Sequence, residues 1–253
     1  MQRPQTIQIF LPNGSPRGIK IAEITNRVVK AILIPRNQLE NAVKRPEVKN
    51  VGLYFLLGTS DEGAKPLVYI GEAEDCWERL KQHNRNKEFW SHACLIVSKI
   101  NAFTKAHVKY LEHVAVKQAQ EVNRFKTENG NIPNSPYITE SMEADLFDNF
   151  ETIKILLSTL GYPVFDSIDK KSISKKEILY LNGRGVEAEG DLIDDGFVVF
   201  KGSQATNKEA TSCPEYLINT RKKLLQVVFL KKKLENLFLL RTIFLKHLVV
   251  LPC

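Results

Sequence analysis

The sequence has few cysteines, and none of them are paired at a spacing typical of a metal or redox motif. The four residues Cys76, Cys94, Cys213 and Cys253 are far apart, and no CxxC pair occurs. A zinc ribbon or a disulfide framework is therefore not expected, and reduced thiols fit best. The sequence also lacks internal repeats and low-complexity tracts.

Long apolar runs are absent as well. No stretch approaches the roughly 18 uninterrupted apolar residues that a membrane-spanning helix needs. The first residues, Met1-Gln2-Arg3-Pro4, lack the apolar centre of a signal peptide. We therefore expect a cytoplasmic protein without a membrane partner. With 253 residues, of which 43% are hydrophobic, the chain can form one large packed domain or two to three small ones.

The net charge is +7, but much of it lies at the C-terminal end. Residues 226–253 contain five lysines and arginines against the single acidic residue Glu235, which gives +4 and leaves +3 for residues 1–225. A charge of this size permits binding to nucleic acid but does not establish it.

Strand and turn signals dominate residues 1–50, which we expect to form a small β-rich segment. Residues 51–165 combine both kinds of element. Their pattern predicts strands at 51–57, 67–70 and 93–100 and helices that begin after Asp75, after Thr104 and at Met142. Residues 166–225 predict a small C-terminal domain with a β-hairpin over 186–200, turning at Asp194-Asp195-Gly196.

Polar side chains within residues 51–165 form a candidate catalytic set. Tyr54 and Tyr69 end the two strands of the first hairpin, where strand alternation can place them on one face. Arg79 and His83 are four residues apart and so lie on one side of the next helix. Glu112 interrupts an apolar stripe of the long helix, and a half-buried carboxylate needs a partner such as a metal ion.

Each of these side chains also has an ordinary structural interpretation. The two tyrosines can be strand aromatics with polar tips, and the Arg-His pair can be a solvated helix face. The glutamate can form an ion pair with a nearby lysine. The argument for a site therefore depends on the ordered set and not on any single member.

Taken in order, Gly52-Leu53-Tyr54, Tyr69-Ile70-Gly71, Arg79-x-x-x-His83 and the later Glu112 resemble the GIY-YIG nuclease superfamily. Leu53 replaces the usual isoleucine. The resemblance implies an α+β fold with a small three-stranded antiparallel sheet flanked by helices. In this chain, small β-rich N-terminal and C-terminal segments are expected to flank that domain. The resemblance also implies an endonuclease that hydrolyses DNA with a single divalent cation.

The same resemblance implies a role for each residue. Glu112 would hold Mg²⁺ or Mn²⁺, and Arg79 would pair with the scissile phosphate. Tyr54, assisted by Tyr69, would be the general base for the attacking water. His83 would position a phosphate or accept a proton from Tyr54. The family usually has an asparagine after the glutamate, and Asn123 is the nearest candidate.

Residues 190–203 resemble a domain of unknown function that often follows GIY-YIG modules. Within it, Lys201 and Ser203 are candidates for an accessory substrate contact, and a plain hairpin is the alternative. Residues 226–253 form a basic apolar tail without a clean helical stripe. We interpret this tail as an aberrant, frameshifted C-terminus whose deletion should leave folding and cleavage intact; an amphipathic helix on a membrane or partner is the alternative.

Three functional hypotheses follow. The first is a divalent-metal DNA endonuclease. The second is a catalytically weak or inactive nucleic-acid-binding module of the same fold. The third is a structural protein whose β segments bind another chain, with neither DNA nor metal bound.

Overall fold

A computed structural model shows a mixed α+β protein that divides into two compact units, Met1–Ser167 (unit 1) and Ile168–Cys253 (unit 2). The structure describes residues 4–59, 65–167, 178–183, 185–193, 196–206, 213, 215–226, 230–233, 236–239 and 243–245. Within these residues, no helix combines the length and the apolar character needed to cross a bilayer.

Unit 1 contains seven strands and four α-helices among the described residues, with short 3-10 turns at Arg36–Gln38 and Pro46–Lys49. In chain order the elements are β1 (Ile7–Phe10), β2 (Lys20–Ile24), β3 (Val29–Pro35), α1 (Leu39–Ala42), β4 (Gly52–Thr59), β5 (Pro66–Ala73), α2 (Cys76–Asn86), β6 (Trp90–Ser98), α3 (Lys105–Val122), β7 (Lys126–Thr127) and α4 (Glu140–Thr159).

The strands of unit 1 form one seven-stranded sheet, in the order β1-β2-β3-β6-β4-β5-β7. Neighbouring strands are antiparallel except for β5 and β7, which are parallel. β4 lies between β6 and β5 and is buried on both faces. This burial explains why its sequence, Gly-Leu-Tyr-Phe-Leu-Leu, is a nearly continuous apolar run.

Alternate residues of β4 belong to two separate hydrophobic clusters. Leu53 and Phe55 pack in a cluster with residues of α3 and α4. Tyr54 and Leu56 pack in a second cluster with residues of α1 and α2. Since side chains of a strand point to opposite faces in turn, α2 lies on one face of the sheet and α3 on the other.

The two helices that carry candidate site residues begin where the sequence predicts. Asp75 accepts a hydrogen bond from the backbone N–H of Glu78 at 3.0 Å, and Thr104 accepts one from that of His107 at 3.4 Å. These side chains satisfy N–H groups that have no partner within the first helical turn. The caps therefore fix the starting points of α2 and α3.

The sheet is larger than the expected three-stranded one. The three predicted strands are adjacent and antiparallel, as β6-β4-β5. However, β3 pairs with β6 from Val29↔Ser98 to Pro35↔His92, and β2 and β1 follow. β1, β2 and β3 thus extend this sheet and cover the edge that β6 would otherwise expose.

Unit 2 contains seven strands and one helix among its described residues. They are β8 (Leu179–Gly183), β9 (Val186–Ile193), β10 (Gly196–Val199), β11 (Gln204–Thr206), α5 (Glu215–Gln226), β12 (Leu230–Lys233), β13 (Asn236–Leu239) and β14 (Ile243–Leu245). They form one sheet with the order β14-β10-β9-β8 and another with the order β11-β13-β12. The predicted hairpin is confirmed as β9–β10, and its turn residues Asp194 and Asp195 lie outside the described residues.

The segment after residue 225 differs from the expected appendage. β13 pairs with both β11 and β12, and β14 pairs with β10. Leu237 and Leu239 are 2% and 4% exposed. Because these strands complete sheets that begin upstream, the described part of the tail belongs to the folded structure of unit 2.

Candidate active site

The two tyrosines lie on the α2 face of the sheet. Tyr54 on β4 pairs directly with Gly71 on β5, two residues from Tyr69. The ring centroids of Tyr54 and Tyr69 are 6.2 Å apart. A Cβ atom added to Gly71 would lie 2.2 Å from the hydroxyl oxygen of Tyr54. Glycine is therefore needed in the Tyr-Ile-Gly tripeptide because the Tyr54 side chain crosses this position.

α2 brings Arg79 and His83 to the buried hydroxyl of Tyr54. The Nε2 atom of His83 is 2.8 Å from the Tyr54 hydroxyl oxygen, and Nε of Arg79 donates to the same oxygen at 3.4 Å. The His83 ring also contacts the Tyr69 ring, with centroids 5.2 Å apart. Four of the predicted residues thus form one contiguous cluster.

Burial sets the protonation states of this cluster. Burial, which the hydrogen bond from Arg79 only partly offsets, raises the pKa of Tyr54 far above its usual value. Burial, followed by the positive charges of Arg79 and Lys87, lowers the pKa of His83 to about 4. At neutral pH the phenol is therefore protonated and the imidazole is neutral.

These states limit the possible directions of the hydrogen bonds. An arginine can only donate, so the Tyr54 oxygen accepts from Arg79. Nε2 of His83 is placed to accept the Tyr54 proton in the tautomer that carries its hydrogen on Nδ1. The geometry provides a phenol whose oxygen is polarised by a cation and whose proton has an acceptor.

Glu112 lies on α3, against the opposite face of the sheet, where it is half-buried between the apolar residues Val108 and Ala115. Burial and, secondarily, the negative charge of Glu72 raise the pKa of Glu112 to about 7. The backbone N–H of Glu72 and the positive charge of Arg79 act in the opposite direction. Glu72 itself follows Ile70 on the α3 face of β5.

Arg79 connects the two parts of the site. Its guanidinium is hydrogen-bonded to Tyr54, and its charge acts on Glu112. The Tyr54 hydrogen bond and the nearby Glu72 carboxylate raise the pKa of Arg79, so it remains charged. The structure therefore brings four of the six predicted residues into contact, and the charge of Arg79 acts on a fifth, Glu112.

Oxygen ligands suited to Mg²⁺ or Mn²⁺ are present but few. The half-buried Glu112 carboxylate has Glu72 beside it and, in the part of the chain that the structure describes, takes part in no salt bridge. No group of three or more His, Cys, Asp or Glu side chains suited to a metal occurs among the described residues. The site fits a hard cation that keeps most of its water ligands, as Mg²⁺ usually does.

Asn123 is the predicted residue that the structure does not bring to the others. α3 continues without interruption from Lys105 to Val122, and Asn123 is its C-cap, with a φ of 54°. At 1.5 Å per residue, Asn123 lies about 16 Å along the helix from Glu112. Its carbonyl oxygen instead accepts a hydrogen bond from Lys65 at 2.7 Å.

A different asparagine supports the site. The Asn129 side chain accepts from the backbone N–H of Ile70 at 3.0 Å and donates to its carbonyl oxygen at 2.7 Å. Ile70 is the middle residue of the Tyr-Ile-Gly tripeptide, so this amide acts as a one-residue continuation of the sheet beyond β7. The Asn129-Gly130 dipeptide is typical of a turn. Nothing in the local sequence indicates that Asn129 bonds to Ile70.

The accessory residues suggested in unit 2 have different surroundings. The Ser203 hydroxyl donates to the carbonyl oxygen of Glu189 at 3.1 Å and accepts from its backbone N–H at 3.0 Å. Ser203 is 8% exposed. Its hydroxyl therefore connects the strand segments of unit 2 and is not presented to a substrate; Lys201 is exposed.

Comparison with known proteins gives one match. Residues 179–247 match the family model described as Domain of unknown function (DUF4357). This supports the expected C-terminal domain of unknown function and extends it beyond residue 225. No GIY-YIG family model matches the chain. No curated protein and no solved structure matches it. The chain is thus similar to a domain of unknown function over residues 179–247, which lie entirely within unit 2.

Proposed function

We propose that unit 1 is a GIY-YIG-type, divalent-metal-dependent endonuclease that hydrolyses DNA phosphodiester bonds. The observation that carries the proposal is the shared contact of Arg79 and His83 with the Tyr54 hydroxyl, together with the electrostatic coupling of Arg79 to Glu112. A buried tyrosine in a purely structural role needs one hydrogen-bond partner. A proton acceptor and a fixed cation at one phenol, with the charge of that cation also acting on a half-buried carboxylate, suit phosphodiester hydrolysis better.

A proton relay accounts for Tyr54 and His83. Because the phenol is protonated at neutral pH, Tyr54 can take a proton from the attacking water only as its own proton leaves. His83 receives that proton on Nε2 and becomes an imidazolium. The hydrogen bond from Arg79 stabilises the negative charge that develops on the phenol oxygen during the transfer.

Arg79 and Tyr69 are proposed to face the substrate phosphate. Arg79 is exposed and Tyr69 is partly exposed, whereas Tyr54 is fully buried. A guanidinium can pair with two phosphate oxygens, which fits stabilisation of the additional negative charge in the transition state. Tyr69 lies beside Tyr54 and is positioned to orient the phosphate or the water.

Glu112 is the residue proposed to hold the divalent cation. When bound, such a cation supplies charge stabilisation for the phosphate oxygens and the leaving group. Ionised Glu112 also gains a partner that offsets the unfavourable effects of burial and of Glu72. Asn123 has no part in this mechanism because of its distance along α3.

A nicking assay tests the proposal. Wild-type protein is incubated with supercoiled plasmid and Mg²⁺ or Mn²⁺, beside Tyr54→Phe, Arg79→Ala and Glu112→Gln. We expect each substitution to lower the rate about 10²-fold or more. Tyr110→Phe is the matched control, because the Tyr110 hydroxyl donates to Glu143 and does not contact the cluster.

The outcomes separate the hypotheses. Nicking that persists equally in the three site variants would exclude this site as its source. Salt-sensitive DNA binding by a wild-type protein that does not cleave would instead support the alternative, a catalytically inactive nucleic-acid-binding module. Absence of both DNA binding and metal binding would support a structural role.

A further inference from the structure

Lys87 is a cation at the candidate site that the proton relay does not use. It is the C-cap residue of α2, and its backbone N–H donates to the carbonyl oxygen of His83 at 2.9 Å. Its ammonium nitrogen lies 4.4 Å from the centroid of the Tyr69 ring. The helix end and the aromatic ring together place this positive charge next to the partly exposed tyrosine.

Neighbouring lysines are neutralised, whereas Lys87 is not. Lys81 is bridged to Glu78 at 2.6 Å, and Lys105 is bridged to Glu74 at 3.0 Å. For Lys87, no carboxylate lies within salt-bridge distance in the part of the chain that the structure describes. Its charge therefore remains available to an anionic ligand.

Lys87 and Arg79 are associated with different rings of the tyrosine pair. Arg79 is bonded to the Tyr54 hydroxyl, and Lys87 lies over Tyr69. The two residues are eight positions apart, which corresponds to about 12 Å along a helix. A nucleic-acid strand carries one phosphate for each ~3.4 Å of helix axis, so a strand that follows α2 presents a different phosphate to each cation.

We propose that Lys87 forms a second phosphate-binding position, which holds a phosphate about three to four positions along the substrate strand from the scissile phosphate at Arg79. This inference rests on the proposed nuclease function. It predicts that the preferred substrate is a polynucleotide strand long enough to place one phosphate at Arg79 and another at Lys87. Lys87 is thus a positioning residue that contacts the substrate but not the reacting atoms.

Salt-dependent DNA binding tests the inference. Affinity of the full-length Glu112→Gln protein for a fluorescein-labelled DNA duplex is measured by anisotropy between about 50 and 200 mM KCl. Adding Lys87→Ala should weaken binding about three- to tenfold and make the log–log salt slope shallower by about one. Lys87→Arg, which keeps the charge, should preserve both. In the otherwise wild-type enzyme, Lys87→Ala should raise KM by a larger factor than it changes kcat.

Lys117→Ala is the matched control, because it removes the same charge from an exposed position on α3. It should leave the affinity and the slope unchanged. If wild-type protein cleaves DNA but Lys87→Ala binds with the parent affinity and slope, or no differently from Lys117→Ala, the inference is overturned while the proposed function stands. If wild-type protein neither cleaves nor binds DNA, both are overturned.

Discussion

At the scale of single residues, the candidate site contains a base kept neutral and an acid kept partly protonated. The pKa of His83 is lowered to about 4, chiefly by burial, and that of Glu112 is raised to about 7, chiefly by burial and then by Glu72. His83 is therefore unprotonated throughout the neutral range. In the proposed mechanism, the ionisation of Glu112 sets the lower limit of the pH range of activity.

This assignment predicts the pH profile. Below pH 7 Glu112 is protonated in the metal-free protein and cannot hold a cation, so kcat/KM should rise with pH through a single titration near 7. Because Mn²⁺ competes with the proton for the carboxylate, more Mn²⁺ should move the midpoint to lower pH. The measurement is kcat/KM between about pH 5 and 8 at a low and a high Mn²⁺ concentration.

A pair of charge variants makes that test specific. Glu72→Gln removes the negative charge that raises the pKa of Glu112 and should lower the midpoint. Glu74→Gln removes an exposed charge that is bridged to Lys105 and should not move it. A midpoint that is independent of Mn²⁺ would show that Glu112 does not hold the metal.

The amino-acid sequence predicts most of the site because its geometry is local and periodic. Strand alternation places Tyr54 and Tyr69 on one face, and helical spacing places Arg79 beside His83. Asn129 could not be found in this way, since it bonds to Ile70 across four intervening elements. Asn123 follows Glu112 in the sequence but lies about 16 Å from it along the helix, because α3 continues to Val122.

At the scale of elements, the site depends on how β5 is held at the end of the sheet. β7 pairs with β5 only at Leu67 and Val68, so Ile70 depends on the Asn129 side chain for its outer hydrogen bonds. Tyr69 and Gly71 flank Ile70. The tripeptide pairs with β4 on its inner side, and on its outer side it is therefore held by one amide side chain.

Replacing Asn129 with alanine should lower both stability and activity. Two backbone groups of Ile70 lose their partners, which costs about 2 kcal/mol and lowers Tm by several degrees. The accompanying shift of Tyr69 should reduce kcat. Differential scanning fluorimetry and the nicking assay measure the two effects. Asn134→Ala is the control, because Asn134 is exposed and outside this contact; equal behaviour of the two variants would contradict the assigned role.

Gly71→Ala should inactivate the protein by displacing Tyr54. The new Cβ atom would overlap the Tyr54 hydroxyl and separate it from His83 and Arg79. Gly130→Ala is a suitable control, since nothing lies within 4 Å of a Cβ atom at that position. The expected result is loss of nicking in Gly71→Ala with far-UV circular dichroism preserved, and normal nicking in Gly130→Ala. Full activity of Gly71→Ala would show that the Tyr54 hydroxyl is not required.

The seven-stranded sheet shows where strand patterns stop being informative. The short runs within residues 1–50 predicted strands correctly, and β1, β2 and β3 occur there. Their partner could not be predicted, because alternation defines a buried face but does not specify which strand lies alongside. The pairing of β3 with β6 joins two segments that are far apart in the sequence.

At the scale of the whole molecule, the two units contain separate sheets and hydrophobic cores. The two large clusters of buried residues in unit 1 are built entirely from residues before 167. In unit 2, strands from residues 178–206 are completed by strands from residues 230–245. The basic, leucine-rich composition of the latter segment and its lack of a helical stripe predicted an appendage. Composition alone does not reveal short paired strands.

Truncation after Leu225 should therefore affect the two units differently. Removing residues 226–253 takes away β12, β13 and β14, so β10 and β11 lose hydrogen-bond partners and the buried Leu237 and Leu239 are lost. Unit 2 should become sensitive to proteolysis, whereas unit 1 keeps its core and its nicking activity. Limited proteolysis with mass spectrometry should show a resistant fragment that ends near residue 167.

A shorter truncation provides the control for this prediction. Removing residues 248–253 leaves all three strands and the whole of the family match in place, so unit 2 should remain protected. If the truncation after Leu225 leaves unit 2 as resistant as in the full chain, the paired strands contribute nothing to its stability, and the tail is the dispensable appendage that its composition indicates. If unit 2 is degraded only in the longer truncation, folding of the domain of unknown function requires residues 226–247.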